Sequence, residues 1–172
     1  YNLYAYKYGL LDKLRHDEID TSKPTVGIPM GLNMYELLPF WYAAFKVLGF
    51  NVVVSDESTH KLYVKGQSTI PSDTVCYPAK LMHGHIEVLL EEQVDAIFYP
   101  CLTYNIDEKT GDNHYNCPIV TSYGENIKNN VESLASENVR YVQPFMAFTS
   151  EQTVAHKMVE VCAAEWNIPS GE

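Results

Sequence analysis

The stretch "TVGIPMGLNMYELLPFWYAAFKVLGFNVVVS", residues 25–55, decides the fold. A short β-rich run at 25–30 stops at "GLN", and a helix follows in which Pro39 marks either the first turn or a kink. Gly49 ends that helix, and "FNVVVS", residues 50–55, is an unbroken apolar run. Such a run is typical of a strand that is buried on both faces of a parallel sheet. The stretch therefore predicts a strand–helix–strand unit.

The same alternation continues toward the carboxyl terminus. Strands that alternate with helices at this spacing indicate βαβ units. We therefore predict an α/β domain of three layers with a mostly parallel sheet, of the Rossmann or flavodoxin-like type. The further predicted elements are a short helix within 56–66 capped by Asp56 or Ser58, a helix from about Tyr77 to Glu92, strands at 94–100, 119–123 and 139–146, a helix near 124–135, and a last helix capped by Ser150.

The amino-terminal segment differs from the rest of the chain. "YNLYAYKYGLL" has four tyrosines in its first eight residues and predicts a short amphipathic helix or a connecting arm. "RHDEIDTSKP", residues 15–24, is polar and ends in proline, which is typical of a linker. We assign residues 1–23 to an arm and linker and residues 24–172 to the α/β domain. Because the sequence begins without methionine, we expect it to be a segment of a larger protein.

Composition excludes several classes of partner. Twelve basic and 22 acidic residues among 172 give a formal charge of −10, and no Lys/Arg cluster occurs. Nucleic acid and anionic membranes are therefore not expected as partners. There is no apolar run of about 18 residues and no signal-peptide pattern. Four cysteines are too few for a secreted disulfide scaffold, so we expect reduced thiols and a cytoplasmic location.

Three of the four cysteines fall where α/β sheets bind ligands, at carboxyl ends of strands and at helix N-termini. Cys76 opens the helix after "IPSDTV", and Cys101 directly follows the strand "AIFYP". Cys117 ends the polar segment 101–118, before the predicted strand at 119–123. A proline lies within two residues of each cysteine, and proline rigidifies the local backbone. We therefore consider these three thiols as a candidate site.

Three cysteines from separate loops can hold an iron–sulfur cluster and leave one iron open. Their spacing of 25 and then 16 residues matches no ferredoxin or zinc-ribbon pattern. On the residues alone, plain buried thiols are favoured over a cluster. A zinc site formed by the three thiolates and His114 is a further alternative.

The remaining candidate ligands give weaker signals. His114, in "DNHYNC", could donate a hydrogen bond to a cluster or substrate, or simply bind the backbone of its own loop. His83 and His85 are two residues apart on a predicted helix, so they should point away from each other, which argues against a shared metal. Cys162 lies on the apolar face of the last helix and is expected in the core.

The sequence lacks the motifs of nucleotide-binding and hydrolytic enzymes. No G-x-x-x-x-G-K-[ST], G-x-G-x-x-G, H-E-x-x-H or G-x-S-x-G pattern occurs. We therefore expect no complete active site in this segment.

Four stretches resemble one known family. "VGIPMGLNMYELLPFW", "SDTVCYPAKLMHGHIE", "IFYPC" and "DNHYNCPIVTSY…IKNN" are similar, in this order, to the uncharacterised domain of the CoA-substrate-specific enzyme activases. These large bacterial and archaeal proteins are related to the activator and dehydratase of the 2-hydroxyacyl-CoA dehydratase system. The resemblance spans about residues 24 to 146.

The resemblance implies an ATP-driven iron–sulfur electron-transfer system of anaerobes. It implies that Cys76, Cys101 and Cys117 hold a [4Fe–4S] cluster that receives or relays a low-potential electron, with His114 as a possible neighbour of the ligands. It also implies an ATPase module that binds ATP elsewhere, a dehydratase- or reductase-like module, and a CoA-thioester substrate. The chain would then be a non-ATPase part of a multidomain activase or reductase. The alternative is a docking or structural domain of the same large protein, without metal.

Overall fold

The chain forms two compact units. The computed structural model describes residues 2–15, 17–136 and 138–169. The first unit contains the residues up to Phe98 together with Lys128–Tyr141. The second contains Tyr99–Ile127 and the residues from Val142 onward. The chain therefore enters the second unit at Tyr99, returns to the first unit at Lys128, and enters the second unit again at Val142.

Helices and strands alternate over most of the chain. In chain order they are α1 (Leu3–Asp12), β1 (Thr25–Ile28), α2 (Leu32–Val47), β2 (Asn51–Val54), α3 (His60–Gly66), α4 (Tyr77–Glu91), β3 (Ala96–Phe98), β4 (Cys101–Leu102), α5 (Pro118–Asn130), α6 (Ser133–Ser136), β5 (Arg140–Val142), β6 (Phe145–Met146) and α7 (Glu151–Trp166). Short 3₁₀ turns follow α1 at Lys13–Arg15 and α3 at Gln67–Thr69.

A four-stranded sheet with the strand order β2-β1-β3-β5 organises the first unit. β1 pairs in parallel with β2, where Thr25 is opposite Asn51, and with β3, where Val26 is opposite Ala96. The predicted α/β class with a mostly parallel sheet is confirmed. Because β2 lies on one side of β1 and β3 on the other, the strand order changes at β1, and ligand sites favour the carboxyl end of such a switch point.

Aromatic side chains fill the core of the first unit. Trp41 and Phe45 of α2 are fully buried, and their rings meet that of Phe98 edge-on, with centroids 4.9 and 5.0 Å apart. Pro39 lies inside α2, so it does not mark the first turn of that helix, and the alternative of a kink stays a prediction. Edge-to-face aromatic pairs stabilise a core beyond the area that they bury. These contacts fix α2 against the sheet.

The helices α3 and α4 approach each other closely because both carry glycine at the contact. A β-carbon on Gly84 would lie 2.0 Å from the carbonyl oxygen of Leu62, and one on Gly66 would lie 2.2 Å from the amide nitrogen of Gly84. Real β-carbons do not approach other atoms so closely. Any larger residue at position 84 would therefore push α3 away from α4.

The amino-terminal segment forms the helix α1, which belongs to the first unit. Asn2 caps α1, and its Oδ1 accepts hydrogen bonds from the amides of Tyr4 and Ala5 at 3.0 and 3.1 Å. Leu11 is buried, whereas the other apolar side chains of α1 are half-buried or exposed. The guanidinium of Arg15 lies 2.5 Å from a carboxylate oxygen of Asp56. Of the two alternatives that the sequence offered, the helix is the one observed.

Residues 119–123 are helical, so the predicted strand there is wrong. They form the first half of α5, which starts at Pro118. Inside this helix the hydroxyl of Thr121 donates to the carbonyl of Cys117 at 3.1 Å, and that of Ser122 to the carbonyl of Pro118 at 2.9 Å. These bonds satisfy the hydroxyl groups locally, and the β-branched residues are accommodated in the helix.

Two other element boundaries also differ from the prediction. The predicted strand at 139–146 is two short strands, β5 and β6, which belong to different sheets. The predicted cap of α3 was Asp56 or Ser58, but the actual cap is Thr59, whose Oγ1 accepts the amide of Leu62 at 3.2 Å. The hydroxyl of Ser58 is bonded to His85 instead, 2.9 Å away.

The second unit is built on a small parallel sheet and two helices. β4 pairs with β6, where Cys101 is opposite Phe145. Ser150 caps α7 as predicted, accepting the amide of Thr153 at 3.1 Å, and Cys162 is buried in that helix as expected. Within the described ranges, no helix has both the length and the apolar character needed to cross a membrane.

Candidate functional site

Cys76 occupies the N-cap position of α4. Its backbone is extended, its side chain is exposed, and its sulfur makes no capping hydrogen bond. Pro78 lies in the first turn, as the sequence predicted, and the amide of Lys80 bonds to the carbonyl of Cys76 at 3.1 Å. Backbone amide groups and the positive end of the helix dipole lie at this terminus, and such termini bind negatively charged ligands.

Cys101 has the opposite environment, because its side chain is fully buried at the start of β4. Its amide donates to the carbonyl of Pro144 at 2.9 Å. Burial raises the pKa of the Cys101 thiol, and hydrogen bonds from the backbone of Glu125 and Gly124 lower it by less. The net shift of this pKa is upward, so the thiol is protonated at neutral pH.

The position of α5 over Cys101 depends on Gly124. A β-carbon on Gly124 would lie 2.8 Å from the carbonyl oxygen of Tyr99 and 3.0 Å from the sulfur of Cys101. With glycine there, the helix backbone comes close enough for its amides to reach the sulfur. Such donors also stabilise the negative charge of metal-bound thiolates.

Cys117 is exposed and directly precedes α5. Its carbonyl accepts the amide of Thr121 at 3.0 Å, so it takes part in the first turn of that helix. The preceding residue, Asn116, donates its amide to the carbonyl of Thr103 at 2.9 Å and its side-chain Nδ2 to the carbonyl of Leu102 at 3.2 Å. These bonds hold the main chain before Cys117 against the strand that begins at Cys101.

His114 is bonded to the backbone of its own loop. Its Nδ1 lies 2.6 Å from the carbonyl oxygen of Asn105, and its ring lies 5.2 Å from that of Tyr104. Because a carbonyl can only accept, Nδ1 carries the proton, and in the neutral ring Nε2 is an acceptor. A hydrogen bond donated from Nε2 of His114 to a sulfur would therefore require the protonated ring.

The candidate ligands are divided between the two units. Cys76 belongs to the first unit, and Cys101 and Cys117 belong to the second. Among the described residues, no three His, Cys, Asp or Glu side chains are grouped so as to hold a metal ion. Thiol sulfur is the donor that iron–sulfur clusters use, and the two exposed cysteines at helix starts fit that chemistry. The convergence of all three sulfurs stays a prediction.

A buried polar network, which the sequence did not predict, surrounds the two histidines of α4. Both imidazoles are fully buried. His83 is bonded to the hydroxyl of Thr69 at 2.8 Å, whereas His85 is bonded to those of Ser55 and Ser58 at 2.8 and 2.9 Å. The two rings thus have separate partners. Those partners are 14 to 30 residues away along the chain, and no local signal identifies them.

A second feature that the sequence did not reveal is a buried amide at the start of α2. Asn33 is 92% buried, and neither Oδ1 nor Nδ2 of its side chain has a hydrogen-bond partner in the described part of the chain. Most buried polar atoms in proteins have such a partner.

Comparison with known proteins gives one match. Residues 25–172 match the family model described as the CoA enzyme activase uncharacterised domain. The chain belongs to this family. No curated protein and no solved structure matches it. The CoA enzyme activase domain thus begins with the first residue of β1 and leaves α1 outside, and the family suggested by the sequence is confirmed.

Proposed function

We propose that this CoA enzyme activase domain is an iron–sulfur redox domain of an ATP-dependent activase. In this proposal Cys76, Cys101 and Cys117 hold a [4Fe–4S] cluster, which accepts or relays a low-potential electron. The family membership carries the proposal. It is supported by the placement of Cys76 and Cys117 directly at the starts of two helices, α4 and α5.

Each cysteine has a defined task in this proposal. The sulfurs of Cys76 and Cys117 are exposed and would bind iron as thiolates, favoured by the amides at their helix starts. The sulfur of Cys101 already receives two backbone hydrogen bonds, which would stabilise its thiolate once iron replaces the proton. A bound cluster would supply one-electron chemistry and an open iron for a substrate oxygen.

The partners follow from the family. We infer an ATPase module and a dehydratase- or reductase-like module, on the same or a partner chain, with a CoA-thioester as the substrate. The ATPase motifs are absent from this chain, so ATP would bind elsewhere in the system. An oxygen-sensitive cluster suits the cytoplasm of an anaerobe.

A docking domain without metal is the second candidate. It is favoured by the complete burial of Cys101. In this alternative the thiols are inert, and the domain positions the ATPase module against its partner.

Metal and sulfide analysis of protein purified without oxygen tests the proposal. About four irons and four sulfides per chain are expected. The variants C76A, C101A and C117A should each lose iron, whereas C162A, which removes another buried thiol, should retain it. One zinc per chain would support the alternative zinc site, and metal-free protein would support the docking domain.

A further inference from the structure

A chain of short hydrogen bonds runs from the sheet to the surface at the carboxyl ends of β1 and β2. The amide of Met30 donates to Oγ of Ser55 at 2.7 Å, and this Oγ lies 2.8 Å from Nδ1 of His85. On the other side of the ring, Nε2 lies 2.9 Å from Oγ of Ser58. Ser55 and His85 are buried, whereas Ser58 is exposed. The imidazole thus joins a buried hydroxyl to an exposed one.

The direction of these hydrogen bonds follows from the needs of Ser55. Its oxygen already accepts the amide of Met30. If Nδ1 of His85 also donated to it, the hydroxyl proton of the buried Ser55 would have no acceptor among the described residues. A buried donor without a partner is unfavourable. Ser55 therefore donates to Nδ1, and the proton of the neutral ring is on Nε2, where it is donated to Ser58.

With this direction the hydroxyl proton of Ser58 has no acceptor among the described residues, so it can be donated to a ligand. Every bond from Met30 to Ser58 then points the same way, and hydrogen bonds aligned in a chain polarise and strengthen one another. The imidazole stays neutral at physiological pH, since burial, aided by the charge of Arg15, lowers the pKa of His85 to about 4. Ser58 is thus an oriented donor that needs an acceptor.

Ser58 opens into a pocket of about 470 Å³ in the first unit. Tyr8, Tyr35 and Met30 contribute aromatic and apolar surface, and Glu57 contributes a carboxylate. The nearby cations are already paired, because Lys7 bonds to Glu36 and Arg15 to Asp12 and Asp56. A second anion would be repelled there, whereas a neutral group would not.

We propose that this pocket binds a small neutral molecule through a carbonyl oxygen, which accepts the hydrogen bond of Ser58 while an apolar or aromatic body packs on the tyrosines. A carbonyl suits the site because it accepts without donating, and its neutrality suits the neighbouring Glu57. The site needs no cluster, so it stands independently of the redox function.

Acetophenone, an aromatic ring with a neutral carbonyl, is a suitable probe. Its binding is followed by amide chemical-shift titration, beside ethylbenzene, which lacks the acceptor, and benzoate, which is anionic. Acetophenone should bind more tightly than either and shift the amides of Met30, Glu57 and Ser58. The variant S58A should weaken acetophenone binding by about two- to tenfold and leave ethylbenzene unchanged. S58T, which retains the hydroxyl, should restore most of the affinity.

The control S72A replaces an exposed serine outside the pocket lining and should bind like the wild type. Equal acetophenone affinity of S58A and wild type, or an absence of saturable binding, would overturn the site. Tighter binding of benzoate would overturn the ligand class. Long-range ¹H–¹⁵N spectra at pH 7 separately test the direction of the hydrogen-bond chain from Met30 to Ser58. Nε2 of His85 should carry the proton, and a proton on Nδ1 would contradict the assigned direction.

Discussion

The sulfur of Cys101 lies 3.0 Å from the point that a β-carbon would occupy on Gly124. The absent side chain lets the α5 backbone approach the thiol until two of its amides bond to the sulfur. Cys101 and Gly124 therefore form one structural feature, in which the glycine determines both the packing of the helix and the electrostatics of the thiol.

We predict that G124A lowers the free energy of unfolding. The new β-carbon would also lie 2.8 Å from the carbonyl oxygen of Tyr99, so α5 must shift. Overpacking of this kind costs about 1–3 kcal/mol, partly offset by the better helix propensity of alanine. Urea denaturation followed by circular dichroism measures the change.

The matched control is G9A, because a β-carbon on Gly9 in α1 would have no other described atom within 4 Å. At position 9 the substitution changes only the helix propensity, so G9A should stabilise the protein by up to about 1 kcal/mol. Equal effects of G9A and G124A would show that the close approach to Cys101 is unimportant.

Thiol labelling should divide the four cysteines into two pairs. Cys76 and Cys117 are exposed, whereas Cys101 and Cys162 are 0% and 5% exposed. In native, metal-free protein the exposed pair should react with iodoacetamide first. The buried pair should react at least about a hundredfold more slowly, since it reacts only from locally opened molecules. Mass spectrometry of peptides measures each rate, with urea-unfolded protein as the control in which all four react. Fast labelling of native Cys101 would contradict its burial.

The sequence predicts local features of this protein better than non-local ones. Pro78 and the apolar spacing after it located α4 and the position of Cys76 at its start, because both signals lie within one helix. The strand predicted at 119–123 was wrong because its β-branched residues suggest a strand, whereas in α5 the hydroxyls of Thr121 and Ser122 bond to carbonyls four residues earlier in the chain.

Site features that depend on distant parts of the chain could not be predicted in this way. The contact between Cys101 and Gly124 joins residues that only the fold brings together. The hydrogen-bond chain through His85 likewise includes Ser55 and Ser58, which are 30 and 27 residues away in sequence. No periodicity or motif encodes such pairs, so the sequence identified the candidate thiols but not the groups that act on them.

We predict that N33L stabilises the protein. Asn33 is 92% buried, and neither polar atom of its side chain has a partner among the described residues. Leucine has a similar size and no polar group, so the substitution should raise the free energy of unfolding by about 1–2 kcal/mol. Chemical denaturation measures it, and N33A is the control that separates the lost polar group from a newly made cavity. A destabilised N33L would show that the amide of Asn33 does have a partner in solution.

Stability should fall as the pH drops from about 6.5 to 4, and His85 should account for part of the loss. Burial lowers its pKa from 6.5 to about 4 in the folded chain. The unfolded chain therefore binds more protons in this window, and protonation favours unfolding. A pKa shift of this size corresponds to a contribution of about 3 kcal/mol to the free energy of unfolding. This contribution is fully present above pH 6.5 and is lost as the pH falls to about 4.

The difference between wild type and H85Q isolates this contribution. Glutamine cannot titrate, so the free energy of unfolding of H85Q should decline less between pH 7 and pH 4.5. Protonation of carboxylates with lowered pKa values, such as Asp17 and Asp20, also lowers the free energy of unfolding. This contribution is the same in both proteins and cancels in their difference. H156Q, which replaces a histidine whose side chain is 83% exposed, should follow the wild-type curve. Parallel curves for H85Q and wild type would show that the imidazole of His85 is accessible to protons in the native state.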